Sequence, residues 1–346
     1  MATTYRAWVA TKKGLPAVSL ELKNDLVLPT RIPKGHVVVQ VEAAALNPYI
    51  YKMTAGLSDF ADGRPHIAER DFAGTVADPN DTSFVKGDKV FGFLPKATAT
   101  VGALAEFLVI PASLVVKQPP GITSVEAAGL GIVVLTAHSA LKALKVQRGD
   151  TVLINGGSSA VGLSAIQVAK NHMGLKVVAT ASAKNRAVLL DLGVDEFIDY
   201  TTAPLHEQLI SRARTSPKFN GLFDAVGLTE TALYLNCTRY LAPGAHYISA
   251  GGFPTSRKAL MGMLRLILES SLHPVWLGGI PHKFSIATCP QDRKSLEEVR
   301  ELVVQGSLKP IVDSVYSFDR TGLMAAYDKL MTSRAVGKVV IQVQRI

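Results

Sequence analysis

The sequence predicts an α/β protein of two domains: a compact, mostly antiparallel, barrel-like domain and a parallel sheet covered by helices on both faces. Three observations predict it. Short β-branched and aromatic runs, broken by Gly, Pro and Asp, fill the first 120 residues. Apolar strands and helices then alternate, the pattern of a sheet buried on both sides. The last stretch returns to strand, helix and strand, and its final strand must pair somewhere, so it rejoins the first domain. A chain of 346 residues has the length for two cores.

The β-rich third is carried by "YRAWVA", "HVVVQVEAAAL", "DFAGTVAD", "DKVFGFL", "ALAEFLVIP" and "LVVKQP". The rhythm changes at "SVEAAGLGIVVLTAHSALKAL", read as one helix with Ser124 as its N-cap and small residues for close packing. "TVLING" then leads into a helix at 160–172, "LKVVATA" into 184–192, "EFIDY" into 203–213 and "LFDAVG" into 229–240, followed by "AHYISAGG". The expected domains are residues 1–123 with 308–346, and residues 124–307. No internal repeat or low-complexity tract interrupts them.

Hydrophobic residues make up 48% and charged residues 19%, which excludes a disordered chain. The net charge is +9, but Lys and Arg are scattered and the densest groups, "TKKG" and "SRAR", are short. That distribution suits an anionic cofactor or an acidic carrier protein rather than nucleic acid. The stretch 258–280 is interrupted by Arg265, Glu269, His273 and Pro274. It reads as an amphipathic or buried helix followed by a loop, not a membrane span. The N-terminus has no apolar run of signal-peptide length, and Cys237 and Cys289 each stand alone, so a reduced, cytoplasmic setting is expected.

The segment "GGSSAVG" sits between a strand and an amphipathic helix, the context of a dinucleotide-binding turn. Its small positions fall on Gly157, Ser159 and Gly162. Serine replaces glycine at the second, where the Ser158 and Ser159 hydroxyls can donate to a phosphate oxygen. The alternative is a turn that only packs a helix on a sheet. The next strand ends "ATASAKNR", with Ser182, Lys184, Asn185 and Arg186 and no carboxylate. A hydroxyl and cations there suit a 2′-phosphate, hence NADPH; the alternative is solvated charges opening a helix.

Together "LTAHSALKALKVQRGDTVLINGGSSAVGLSAIQVAK", "LGVDEFIDY", "FDAVG" and "GKVVIQV" resemble the medium-chain dehydrogenase/reductase superfamily over nearly the whole chain. The likeness is to zinc-independent members: quinone oxidoreductases, enone reductases and fungal trans-acting enoyl reductases. "AALNPYIYKM" resembles the loop that lines their substrate cleft. The resemblance implies a GroES-like barrel domain, a Rossmann domain and NADPH. It implies that Gly156, Gly157, Ser158, Ser159, Ala160, Val161 and Gly162 form the pyrophosphate turn. Ser182, Lys184 and Tyr200 would face the 2′-phosphate, and Val226, Ser249, Ala250 and Gly251 the nicotinamide end. Lys338 would approach the cofactor from the terminal strand. Zinc-dependent relatives carry "GHE" where this chain reads "ERDFAG", placing Arg70 and Asp71 at the His and Glu positions. The two cysteines lack the spacing of a zinc lobe. Relatives form dimers or tetramers by pairing edge strands of their nucleotide domains, and some are monomers, so the resemblance leaves a homodimer as one of several alternatives.

Without a metal, the reaction expected is reduction of a C=C bond conjugated to a carbonyl, whose oxygen must be stabilised as charge collects on it. Candidate donors are Asn47, Tyr51, Lys52 and Thr136. Asn47 before Pro48 can instead shape a turn, Tyr51 form a wall, Lys52 sit in solvent, and Thr136 bond its own helix. His138 is read as structural. Three functions follow: an NADPH-dependent reductase of a small enone, alkenal or quinone; a trans-acting enoyl reductase on a polyketide thioester held by an acyl carrier protein; and a non-catalytic NADPH-binding protein.

Overall fold

A computed structural model describes residues 3–95, 101–227, 231–252, 257–272 and 275–344. The chain forms two compact units, Met1–Leu135 with Pro290–Ile346, and Thr136–Cys289.

In the first unit β1 (Thr4–Ala10) and β2 (Leu20–Val27) pair antiparallel on either side of α1 (Pro16–Ser19). β3 (His36–Ala45) runs into α2 (Pro48–Gly56), where proline at the first helical position fixes the turn out of the strand. α3 (Asp59–Asp62) and β4 (His66–Ile67) follow, β4 pairing with β1. Then come β5 (Asp71–Asp78), β6 (Lys89–Phe93), β7 (Phe107–Pro111) and β8 (Val115–Lys117). α4 (Ser124–Ala128) packs on β3, β5 and β6, and α5 (Gly131–Ala143) carries the chain into the second unit.

That unit alternates β9 (Thr151–Asn155), α6 (Ala160–Gln167), β10 (Lys176–Ala181), α7 (Arg186–Asp191), β11 (Glu196–Asp199), α8 (Leu205–Arg212), β12 (Phe219–Asp224), α9 (Thr231–Leu235), β13 (Leu241–Ser249), α10 (Arg257–Ile267) and β14 (Phe284–Ile286). All its strand pairs are parallel, in the order β11-β10-β9-β12-β13-β14. One face of the sheet packs Leu153, Val178 and Leu222 with Tyr234 and Tyr240.

The chain returns through α11 (Arg293–Val304), β15 (Val312–Ser317), α12 (Arg320–Met331) and β16 (Lys338–Gln342). β16 pairs antiparallel with β3, completing a seven-stranded sheet in which only β15 and β16 run parallel. Trp8, Val39, Phe72, Leu323, Tyr327 and Ile341 share one core, so both sheets and α12 close on the same apolar centre. This is the GroES-like unit, and the parallel sheet is the Rossmann unit.

Three local expectations change. The helix expected from Ser124 breaks in two, and its N-cap is Thr123, whose hydroxyl accepts from Glu126 N while the Glu126 carboxylate accepts from Thr123 N. The break has a cause in the first unit: Ile132 N donates to Asp71 Oδ1 at 2.9 Å instead of continuing the helix. A Cβ on Gly131 would meet that same oxygen at 2.1 Å, so only glycine fits. Because α4 packs on β3 and β5, and α11 on β8, the units divide at 135/136 and 289/290 rather than at 123/124 and 307/308.

Of the helix expected at 229–240, residues 229 and 230 lie outside the described residues; α9 and a single 3-10 turn at Cys237–Arg239 form the remainder. In the 258–280 stretch, His273 and Pro274 also lie outside the described residues. α10 is amphipathic, with Leu266 inward and Leu260, Met261, Leu264 and Ile267 exposed. No helix among the described residues is long and apolar enough to cross a membrane.

Candidate active site

In the Rossmann unit the central strand β9 ends at Asn155, and the next residues build a cradle. Gly156 takes φ 76°, a left-handed conformation that favours glycine. Its amide donates to Thr180 Oγ1 at 3.0 Å, and Gly157 N donates to Thr180 O at 2.8 Å. A Cβ on Gly162 would stand 2.2 Å from Gly156 O, so the helix can approach the strand this closely only with glycine there. Ser159 is the N-cap of α6: its hydroxyl oxygen accepts from Gly162 N at 3.0 Å. The serine that replaces glycine therefore serves the helix first, a use the hydroxyl-donor expectation did not include. The amides of Ser158, Ala160 and Val161 take no partner among the described residues and stand at a helix N-terminus. Unpaired donors at a positive helix end are what a pyrophosphate requires, so the residues present fit a dinucleotide.

Register brings the next group together. Ala181 of β10 pairs with Asp199 of β11, which sets Ser182 and Tyr200 side by side just past the strand ends. Lys184 is exposed, Asn185 half-buried, and Tyr200 51% exposed. Asp199, a carboxylate missed in the sequence reading, also lies here. It accepts from Ala183 N at 3.1 Å, Thr201 N at 2.9 Å and Thr201 Oγ1 at 2.7 Å. Those bonds, the Thr201 hydroxyl foremost, hold its carboxyl below the usual range.

At the other end, Val226 is 51% exposed beside Gly156. Ser249 is buried and accepts from Gly251 N at 3.2 Å, while Ala250 N donates to Asp224 O at 2.8 Å. Beneath both ends runs a network that sequence reasoning also missed. Thr180 Oγ1 donates to Asn155 Oδ1 at 2.6 Å, and Asn155 Nδ2 to Asp224 Oδ1 at 2.8 Å. Burial pushes the Asp224 carboxyl up to about 6, against the opposing pull of Asn155 and the Val226 and Gly227 amides. Thr136 is buried with its carbonyl accepting from Ser139 Oγ at 3.2 Å, and His138 stacks edge-on with His172, ring centroids 6.1 Å apart.

In the GroES-like unit, two predicted residues lie in one buried cluster. Lys338 Nζ donates to Leu46 O at 3.0 Å, Asn47 Oδ1 at 2.8 Å and Asp71 Oδ2 at 2.9 Å, engaging its whole ammonium. Asn47 Nδ2 donates to Asp71 Oδ2 at 3.0 Å, and Asn47 N to Glu69 Oε2 at 3.0 Å. Tyr327 donates to Glu69 Oε1 at 2.8 Å. Burial raises the Glu69 carboxyl to about 8, with Tyr327, Lys338 and Asn47 opposing the rise and Asp71 adding to it. Asn47 and Lys338 therefore have their polar groups committed inside this unit. Tyr51 packs edge-on against Tyr327, ring centroids 6.4 Å apart, at the margin of the apolar core, and Lys52 is half-buried.

A parallel sheet in this order with such a turn at its central strand defines a dinucleotide-binding protein. Residues 33–120 match the alcohol dehydrogenase GroES-like domain, and residues 192–341 the zinc-binding dehydrogenase family. The chain is 30% identical to a trans-enoyl reductase of Penicillium oxalicum, over 99% of this chain and 98% of that one. It is 31% identical to a trans-enoyl reductase of Aspergillus terreus, over 99% and 97%. Its fold matches a quinone oxidoreductase from Coxiella burnetii with a TM-score of 0.79 at 24% identity, over 99% and 100%. The chain belongs to the medium-chain dehydrogenase/reductase superfamily, among oxidoreductases whose fold binds a nicotinamide cofactor. Among the described residues no three His, Cys, Asp or Glu side chains are grouped so as to hold a metal ion.

Proposed function

We propose that this protein is an NADPH-dependent reductase of C=C bonds conjugated to a carbonyl, working without a metal in a reduced, cytosolic setting. The observation that carries it is the β9–α6 turn, with amides of Ser158, Ala160 and Val161 unpaired at a helix N-terminus. NADPH over NADH is supported by Ser182, Lys184, Asn185 and Tyr200 at the ends of β10 and β11, where the carboxylate of Asp199 is already bonded to Ala183 and Thr201. Bound NADPH supplies the hydride that the substrate's β carbon receives. Of the predicted donors, Tyr51, Lys52 and Thr136 carry side-chain polar groups without a hydrogen bond to the described residues, whereas those of Asn47 are engaged by Glu69, Asp71 and Lys338. The relatives named trans-enoyl reductases favour an acyl thioester, free or on an acyl carrier protein, over a quinone.

Titration with NADPH and NADH, followed by nicotinamide fluorescence, tests the cofactor; loss of NADPH absorbance with an enone, a quinone and a 2-enoyl N-acetylcysteamine thioester tests the reaction. Tight NADPH and weak NADH binding, with turnover of the thioester, is the expected result. Binding of neither nucleotide removes the reading. Binding without turnover of any acceptor leaves a non-catalytic NADPH-binding protein.

A further inference from the structure

The strands of the Rossmann unit run outward in two directions from its centre. β9, β10 and β11 proceed to one side and β12, β13 and β14 to the other, so the order reverses between β9 and β12. A crevice forms outside the carboxyl ends of the strands at such a reversal, and a dinucleotide lies across it. Asn155 and Asp224 are the last residues of β9 and β12 and pair in register. Asn155 Nδ2 donates to Asp224 Oδ1 at 2.8 Å, a side-chain bond across the reversal itself.

Each partner carries the connection further. A carboxylate only accepts, so Asp224 draws the Asn155 amino group to itself and turns Asn155 Oδ1 toward Thr180. Thr180 Oγ1 donates to that oxygen at 2.6 Å, which leaves its lone pairs to accept from Gly156 N at 3.0 Å. The direction of every bond from Asp224 to the pyrophosphate turn is thereby set. On its own side Asp224 Oδ1 also accepts from Val226 N at 3.2 Å and Gly227 N at 3.3 Å, folding the loop after β12 round the carboxylate. Gly227 takes φ 87°, and a Cβ on it would stand 1.9 Å from Gly251 O, so this loop lies tightly against the segment that follows β13.

We propose that Asp224 is a positioning residue for the dinucleotide: through Asn155 and Thr180 it ties the pyrophosphate turn to the Val226–Gly227 loop, so that the two halves of the cofactor meet one rigid frame. This rests on the reading of the β9–α6 turn as an NADPH site. Because the frame is set before the ligand arrives, binding has less of the protein to order. A ligand confined to the adenine side of the reversal draws little on the tie. One that crosses the reversal draws on all of it.

Calorimetric titration of the full chain with NADPH and with adenosine 2′,5′-bisphosphate tests the tie without any acceptor. Asn155→Leu should weaken NADPH binding about 10- to 100-fold and bisphosphate binding by less than about threefold. Asp224→Ala should do the same. Asp224→Asn keeps an oxygen that accepts from Asn155 and both loop amides, and should recover most of the NADPH affinity. Thr180→Val should weaken NADPH binding about tenfold, and adding it to Asn155→Leu should cost less than about threefold more, because the chain of bonds is already cut. Unchanged NADPH affinity in Asn155→Leu overturns the proposal. So does an equal loss for the two ligands in a variant that still melts cooperatively, or a double variant whose losses multiply, since these residues would then act only on their own surroundings. Asn155→Leu and Thr180→Val leave the carboxylate and its loop bonds in place and decide the matter if Asp224→Ala does not fold. A wild type that binds neither ligand removes the NADPH reading and this inference together. A wild type that binds NADPH, with variants that do not separate the two ligands, removes the inference alone.

Discussion

Burial holds the Glu69 carboxyl protonated well past the pH at which the same group ionises in an unfolded chain. Its folded pKa, about 8, stands above its unfolded value, so between these the folded state binds the extra proton. Stability from this group is complete at acid pH and falls as pH rises through the window, by about 1.4 kcal/mol per unit. The groups facing it are Tyr327, Lys338, Asp71 and Asn47. The melting temperature should therefore decline from about pH 6 to pH 8 in the wild type, and Glu69→Gln should flatten that decline. An unchanged slope in the variant would assign the response to other groups. Little of this was legible beforehand. The departure of "ERDFAG" from the family's "GHE" pattern marked Arg70 and Asp71, but Glu69 meets Tyr327 across 258 residues and Asp71 meets Lys338 across 267. No local pattern encodes pairings so distant, and the bonds that hold Lys338 to Leu46, Asn47 and Asp71 could not be read from its own strand.

Elements were legible where their signal is periodic. The parallel strands of the Rossmann unit and the amphipathic α10 stand where apolar runs and helical spacing put them. The break between α4 and α5 was not, because it depends on the Asp71 carboxylate 61 residues away taking the Ile132 amide. The β9–α6 turn lies between these cases: its glycines were visible, but the use of Ser159 as a cap was not. That use makes a prediction separable from cofactor binding. Ser159→Ala should cost about 1 kcal/mol of stability and Ser159→Gly only a few tenths, with NADPH affinity near that of the wild type in both. Gly162→Ala behaves differently, since its Cβ would sit 2.2 Å from Gly156 O and push α6 off the strand. It should destabilise by about 1–3 kcal/mol and weaken NADPH binding severely. Thermal melts paired with fluorescence titrations read both quantities. A large loss of NADPH affinity in Ser159→Gly would show instead that the hydroxyl contacts phosphate directly.

For the molecule as a whole the informative quantity is its charge. Lys and Arg number 37 against 28 Asp and Glu, and the excess is spread along the chain rather than gathered in one run. Dispersed charge contributes a field that draws in an anionic partner from a distance, and salt screens it over about 10 Å at 0.1 M. The field separates the two forms of substrate left open above. An acidic acyl carrier protein would be steered by it, whereas an enoyl group on uncharged N-acetylcysteamine would not. With NADPH saturating, so that its own charge drops out, kcat/KM for a carrier-bound enoyl thioester should fall steeply as ionic strength rises from about 0.05 to 0.3 M. The free thioester should change little over the same range. Equal salt dependence for the two would mean that the carrier is not recognised electrostatically, and that the acceptor is a small molecule taken directly from solution.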